Sequence, residues 1–152
     1  MNPLLKNILA AVLGYVVMVL AVFAMFSLMW LALGPSGAFE PGSWDVSDAW
    51  VAGSILLGLG AAVLGGLVCA RVAVDHRGIM ILIGLVLLLG ILSAVPEAAD
   101  RIAVSRPDDV SMMEAMTSAH QPGWSAWLNP VIGALGALLG WRVGSRRPAS
   151  AI

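Results

Sequence analysis

Apolar residues are concentrated in four long runs that together cover most of the chain. The runs span about residues 8–33, 49–74, 78–95 and 127–143. A helix needs roughly 17–25 mainly apolar residues to cross the hydrocarbon core of a bilayer. Only Arg71 and Arg142 are charged residues inside the runs, and both lie close to a run's end. The pattern predicts an all-α, polytopic membrane protein in which a single domain, residues 1–152, forms four transmembrane helices as two hairpins.

Short polar and glycine-rich segments separate the runs and predict where the helices begin and end. The sequence Gly34-Pro35-Ser36-Gly37 should end the first helix, and either Ser47 or Asp48 can cap the second. The turn at 75–78 is tight, so the second and third helices should be antiparallel neighbours. Asn129-Pro130 should start the fourth helix, with proline in the first turn, where its missing N–H does no harm.

Charged residues are sorted by sign between the two sides of the predicted membrane. One side carries six of the eight Lys and Arg and a single acid, Asp75; its bases are Lys6, Arg71, Arg77, Arg142, Arg146 and Arg147. The other side holds the remaining eight acids and only two bases, Arg101 and Arg106. Because Lys and Arg are retained on the cytoplasmic side, both termini are expected in the cytoplasm. The expected partners are membrane lipids and membrane proteins, including further copies of this chain, and not nucleic acid.

Tryptophan placement agrees with these boundaries, since indole prefers the headgroup level of a bilayer. We expect membrane-interface anchors at Trp30, Trp44, Trp50, Trp124, Trp127 and Trp141, joined by the terminal Arg71 and Arg142. The tryptophans of the outer boundary have an alternative role, as an aromatic rim for a lipid or quinone headgroup.

Small residues recur every four positions in the second and fourth helices. The predicted packing or interface positions are Ser54, Gly58, Ala62, Gly66, Gly136, Gly140 and Gly144. Such spacing makes a flat surface that another helix backbone can approach closely. It is compatible with packing inside the bundle and with a contact between subunits. The related stretches 59–65 and 135–140 also favour duplication of a two-helix unit.

The outer loop, residues 96–126, contains a predicted interfacial helix over about 107–119, with Ser105 as its cap. Pro96 should end the third helix, and Glu97 and Arg101 would pair if that helix continued. On the interfacial helix Met112, Met116 and His120 would share one face, and these side chains suit copper(I). An apolar face toward lipid explains the same residues without metal, so no metal or other cofactor is expected.

The apolar runs contain few polar side chains and no charge in their central thirds. Tyr15 and Asn129 are the main polar groups, accompanied by Ser27, Ser54 and Ser93. Ion-coupled transport and intramembrane catalysis usually need buried ionisable groups, so both are disfavoured and catalytic residues are not expected. The single cysteine, Cys69, cannot form an intrachain disulfide and is expected to be a buried thiol.

The end of the second helix resembles that of a set of small, uncharacterised bacterial four-helix membrane proteins. The resemblance is carried by Gly65-Gly66-Leu67-Val68-Cys69-Ala70-Arg71-Val72-Ala73 and by Gly140-Trp141-Arg142 at the end of the last helix. It implies the same four-helix fold and a bacterial inner membrane location. It implies no activity and no catalytic residues.

Taken together, these features predict a non-enzymatic integral membrane protein that acts as a small accessory or scaffold subunit or as a homo-oligomer. It would dock through its small-residue helix faces. The alternative is a homo-oligomeric channel or small-solute transporter, which would need a polar stripe drawn from Tyr15, Ser27, Ser54 and Ser93.

Overall fold

The computed structural model describes residues 2–94 and 105–146, and these residues form a helical bundle. The helices are α1 (Pro3–Ala38), α2 (Asp48–Val72), α3 (Arg77–Ala94), α4 (Met112–Ser118) and α5 (Gly123–Ser145). Of these, α1, α2 and α3 are long and apolar enough to cross a membrane. The predictions for Pro96, for the pair Glu97 and Arg101, and for Arg147 fall outside the described residues.

The first helix breaks where the sequence predicts. Gly34 has φ 63° and ψ −178°, a backbone conformation that residues other than glycine rarely adopt. One further helical turn follows and ends at Ala38. Of the two proposed caps for α2, Ser47 takes the role. Its Oγ accepts a hydrogen bond from the Trp50 N–H at 3.1 Å and donates one to the Gly37 carbonyl at 2.6 Å. One hydroxyl therefore joins the end of α1 to the start of α2.

The start of the last helix differs from the prediction. α5 begins at Gly123 instead of near Trp127, and Pro130 lies inside it instead of in its first turn. Pro122 is the N-cap residue, so it marks the helix start that the sequence predicts at Asn129-Pro130. Pro130 is buried against α3, where a Cβ placed on Gly90 would lie 2.6 Å from the proline ring. The interior proline is therefore accommodated by a glycine on the neighbouring helix.

The bundle is built around a contact between α2 and α5, with α1 packed on α2 and α3 packed on α5. Glycines bring the two central helices into backbone contact. A Cβ on Gly140 would lie 2.8 Å from the Leu67 nitrogen, and one on Gly66 would lie 2.8 Å from the Ala137 Cα. Without a hydrophobic driving force between helices in lipid, such close van der Waals contact is a main source of stability.

One end of the molecule, called here the basic end, gathers the start of α1, the α2–α3 turn and the end of α5. Asn7 is fully buried and links the first two of these segments. Its Nδ2 donates to the Asp75 carboxylate at 2.9 Å, and its Oδ1 accepts from the Val74 N–H at 3.0 Å. The Asn7 side chain thus accepts a hydrogen bond from a backbone N–H of the turn, which has no partner within a helix.

The opposite, acidic end is covered by loops. Phe39 and Val46 form an isolated antiparallel bridge, and Asp45 forms a parallel one with His120. The Val46 N–H donates to the His120 carbonyl at 3.1 Å, and the His120 N–H donates to the Trp44 carbonyl at 2.8 Å. The loop that precedes α5 is therefore tied to the loop between α1 and α2.

The interfacial helix is shorter than predicted, because its first expected turn is used otherwise. α4 begins at Met112 and is capped by Ser111, whose Oγ accepts from the Glu114 N–H at 3.3 Å; Ser105 is not its cap. Residues 105–111 are not helical and bend at 108–109. Arg106 donates from its backbone N–H to the Gly42 carbonyl at 3.2 Å, and its guanidinium lies 5.3 Å from the centre of the Phe39 ring. These contacts replace the helical turn predicted at 107–111.

Candidate ligand cavity

A cavity opens among the helices in the acidic half of the bundle. Its upper part, about 320 Å³, lies under α4 and is mainly apolar. Four of its aromatic side chains form a series of edge-to-face contacts: Phe26 contacts Trp50, Trp50 contacts Trp30, and Trp30 contacts Phe39, with centroids 5.8–6.3 Å apart. Pockets of this size and character are typical of small-molecule sites.

The lower part of the cavity, also about 320 Å³, lies between α1, α2, α3 and α5. The two parts share Val19, Val22, Phe26 and Gln121, so they adjoin. The lower part is the more polar of the two. Its polar lining consists of Tyr15, Ser54, Ser93, Asn129 and Gln121. Side chains from four separate helices therefore converge on one space.

The polar groups of the lower part differ in their hydrogen bonding. Ser54 donates to the Val51 carbonyl and Ser93 to the Leu89 carbonyl, each at 2.8 Å, so both hydroxyls turn their protons toward their own helices. Within the described residues, the Tyr15 hydroxyl and the Asn129 amide make no hydrogen bond. A polar group in an apolar environment costs free energy unless it is hydrogen-bonded. Tyr15 is partly exposed and Asn129 is exposed, so both groups are accessible to a bound molecule or water.

Below the cavity the bundle is closed. Cys69 and Leu82 are fully buried, and a Cβ on Gly14 would lie 3.1 Å from the Cys69 Cβ and 3.2 Å from the Leu82 side chain. Met18 forms the boundary, since it lines the lower cavity and is only 8% exposed. The cavity is thus a pocket confined to the acidic half.

The three residues considered for copper(I) do not share one helix face. Met112 and Met116 line the upper cavity, but α4 ends at Ser118 and His120 lies beyond it. The imidazole of His120 instead approaches Asp45, with 3.7 Å between Nδ1 and the carboxylate. The i, i+4, i+8 geometry assumed from the sequence is therefore wrong at its third position, and the two methionines are part of the cavity wall.

The six tryptophans divide into two groups. Trp124 and Trp127 are more than half exposed, as membrane-interface anchors would be. Trp44 is only 7% exposed, and its ring packs on Phe39 with centroids 5.7 Å apart. Its burial contradicts an anchoring role. Trp30 and Trp50 are partly buried and line the cavity, whereas Trp141 packs on the core near the basic end.

The small-residue positions also divide. Five of them lie in the contact between α2 and α5: Ala62, Gly66, Gly136, Gly140 and Gly144. The other two, Ser54 and Gly58, line the lower cavity, and a Cβ on Gly58 would have no neighbour within 4 Å. The first group is covered within the chain, whereas the second faces open space.

Comparison with known proteins adds no further constraint. No protein-family model, curated protein or solved structure matches the chain. The resemblance at the end of α2 therefore rests on its residues alone.

The polar residues of the cavity can be identified in the sequence, but their convergence on one site cannot. Tyr15, Ser54, Ser93 and Asn129 were singled out as exceptions in apolar runs, and the structure brings all four to one pocket. Ser27 does not join them, since its hydroxyl donates to the Phe23 carbonyl at 2.8 Å and it lines neither part. The roles of Phe26 and Gln121 were missed, because nothing in their local sequence marks them.

Proposed function

We propose that this protein is a non-enzymatic integral membrane protein that binds a neutral, lipid-soluble molecule in its cavity. The observation that carries the proposal is the pair Tyr15 and Asn129, which line the lower cavity without hydrogen-bond partners in the described part of the chain. Polar groups inside membrane helices are costly and for that reason often mark a functional site.

The lining defines the chemistry of this molecule. Among the described residues no charged side chain lines either part of the cavity, which disfavours a carboxylate, phosphate or ammonium group. Tyr15 and Asn129 both offer hydrogen-bond donors, which suit carbonyl or hydroxyl oxygens. The aromatic upper part suits a ring or an isoprenoid chain. A quinone or another neutral isoprenoid combines these properties.

Two glycines of α2 provide a matched test of binding. A Cβ at either Gly58 or Gly60 meets no atom within 4 Å, but only Gly58 lines the cavity. We expect Gly58→Leu to fill the lower cavity, while Gly60→Leu leaves it open. The probe is a short-chain quinone added to purified protein in detergent, with quenching of tryptophan fluorescence as the signal, since Trp30 and Trp50 line the cavity.

Gly58→Leu should weaken quinone binding at least tenfold, and Gly60→Leu should bind as wild type does. Tyr15→Phe and Asn129→Leu should each weaken binding about fivefold to tenfold, the effect of one lost hydrogen bond. Organic extraction of protein purified from its own membrane tests the wider class. Equal quenching in both glycine variants, together with no neutral lipid enriched over bulk membrane lipid, would contradict the proposal.

For membrane placement, we propose four spans, with α5 as the fourth, in a bacterial inner membrane and with the basic end in the cytoplasm. α5 has 23 residues, enough for about 34 Å of helix, and it packs along α2 and α3. Its mean hydropathy is lowered by Asn129, Pro130 and Arg142. The positive charges at the basic end support the orientation.

Cysteine labelling tests this topology. In a Cys69→Ala background, a cysteine at position 109 should react with a membrane-impermeant thiol reagent in intact cells. A cysteine at position 6 should react only after the membrane is permeabilised. Labelling at position 6 but not at 109 in intact cells would reverse the orientation.

Five of the small-residue positions are covered within the chain, so an accessory or scaffold role would need a docking surface other than these faces. The second candidate function is transport of a small neutral solute. It is favoured by the convergence of Tyr15, Ser54 and Ser93 on one cavity. Flux of such a solute into proteoliposomes, blocked by Gly58→Leu and not by Gly60→Leu, would distinguish transport from binding alone.

A further inference from the structure

A second concave site lies at the basic end, far from the ligand cavity. It is a groove of about 740 Å³ between the C-terminal ends of α2 and α5, lined by residues 70, 71, 73–76, 141 and 144–146. Unlike the cavity, it has charged residues in its wall. Arg71 approaches from α2 and Arg146 from the end of α5, and both are exposed.

The two arginines are unpaired within the described part of the chain. Among the described residues, neither guanidinium forms a hydrogen bond or an ion pair, although Asp75 is part of the same groove. The Asp75 carboxylate is already engaged by the Asn7 amide at 2.9 Å and by the Arg77 N–H at 2.8 Å. The groove therefore keeps two free guanidinium groups and one carboxylate that is held by its own turn.

The surroundings place these charges at a membrane boundary. Arg71 is in the last turn of α2, one of the helices apolar enough to span a bilayer. Trp141 lines the same groove and packs on the core, and the apolar side chain of Val74, which is 56% exposed, lines it from the α2–α3 turn. Indole lies at the level of the lipid headgroup and glycerol, and exposed apolar side chains at this position contact acyl chains.

From this arrangement we infer that the groove binds the headgroup of an anionic phospholipid, with Arg71 and Arg146 on the phosphate and Trp141 at the glycerol level. Guanidinium groups bind phosphate oxygens in a bidentate manner. A phospholipid fits better than free phosphate because the described lining offers few fixed donors beyond two exposed arginines and the exposed His76, whereas a lipid is also held by its chains. The inference uses the membrane placement of α2 and is independent of the cavity ligand.

Native mass spectrometry of the full chain in detergent, with defined lipids added, tests this inference. Phosphatidylglycerol and phosphatidylcholine both contain a phosphodiester, but only the first has a net negative charge. We expect the wild type to retain phosphatidylglycerol in clear preference, by about fivefold for each arginine. The variant with Arg71→Gln and Arg146→Gln should lose that preference.

Arg77→Gln is the matched control, because Arg77 is an exposed base at the same end that does not line the groove. It should keep the preference for phosphatidylglycerol, and millimolar inorganic phosphate should not compete. If the wild type retains phosphatidylglycerol and phosphatidylcholine equally, the inference is wrong, whatever the variants show. An equal loss in Arg77→Gln would replace it with a diffuse charge effect, and competition by inorganic phosphate would identify a site for the free ion.

If the double variant does not fold, as judged by circular dichroism and size exclusion, each single arginine variant is measured in its place. Each single variant should lose one of the two fivefold contributions to the preference for phosphatidylglycerol. Single variants with an unchanged preference would contradict the assignment.

Discussion

The two halves of the bundle are packed by different means. In the basic half, helix backbones touch: a Cβ on Gly65 would lie 2.6 Å from the Gly14 carbonyl oxygen, and Gly140 lies against Val63 and Leu67. In the acidic half, large rings such as Trp30 and Trp50 lie between α1 and α2, and a cavity lies among the helices.

This difference shows how a small membrane bundle can combine stability with a binding site. Close contact of small residues replaces the hydrophobic effect, which does not act between helices in lipid. Once the helices are held together in the basic half, they can lie farther apart in the acidic half and leave space for a ligand. Stability and binding should therefore respond to mutations in different halves, and four predictions test this separation.

The largest effect is expected where α2 and α5 touch. Gly140→Leu would force a side chain into the Val63 and Leu67 backbone and should lower the free energy of unfolding by about 3 kcal/mol or more, at the upper end for overpacking. Reversible unfolding by SDS, followed by circular dichroism, measures this loss. Gly84→Leu is the control, since a Cβ there meets no atom within 4 Å. Similar losses in both variants would mean that the α2–α5 contact is not the stabilising one.

The next effect concerns the polar link at the basic end. Asn7→Leu removes the partner of the Val74 N–H and of the Asp75 carboxylate and should destabilise the protein by about 2–3 kcal/mol. The same SDS titration gives the value. Asn2→Ala, which removes only an exposed helix cap, should cost about 1 kcal/mol or less. If Asn7→Leu lowers the free energy of unfolding no more than Asn2→Ala does, the Asn7 hydrogen bonds do not stabilise the basic end.

A smaller effect is expected at the junction of α1 and α2, in the acidic half. Ser47→Ala removes the α2 cap and the hydrogen bond to the Gly37 carbonyl, at a cost of about 1 kcal/mol. Ser36→Ala, at an exposed serine nearby, should change stability by less than about 0.5 kcal/mol. Thermal unfolding in detergent compares the two. An equal melting temperature in both variants would show that Ser47 does not join the helices.

The smallest effect on stability is expected in the cavity wall. Met112→Leu combined with Met116→Leu keeps the apolar volume and should change the free energy of unfolding by less than about 1.5 kcal/mol. It should alter quinone binding only modestly. Metal analysis of the purified protein is the accompanying measurement: a stoichiometric copper(I) signal lost in this variant would restore the metal hypothesis for α4.

Much of the architecture could be read from local sequence. The breaks at Gly34 and at the α2–α3 turn depend on backbone conformations that a few adjacent residues decide. The start of α4 could not be read in the same way. Ser105 and Ser111 both precede acceptable helix sequences, and the contact of Arg106 with Phe39, 67 residues earlier in the chain, decides between them.

By itself, the sequence determined the all-helical class, three of the four predicted apolar spans and the sorting of charge to two ends, because each is a property of composition along the chain. Only the tertiary structure decided that Gly66 and Gly140 meet the facing helix while Gly58 faces a cavity, and that Tyr15 and Asn129 share that cavity. The physical reason is that these outcomes depend on how each helix is rotated about its axis and how closely it approaches its neighbours. Those two quantities are set by the packing of all the helices together.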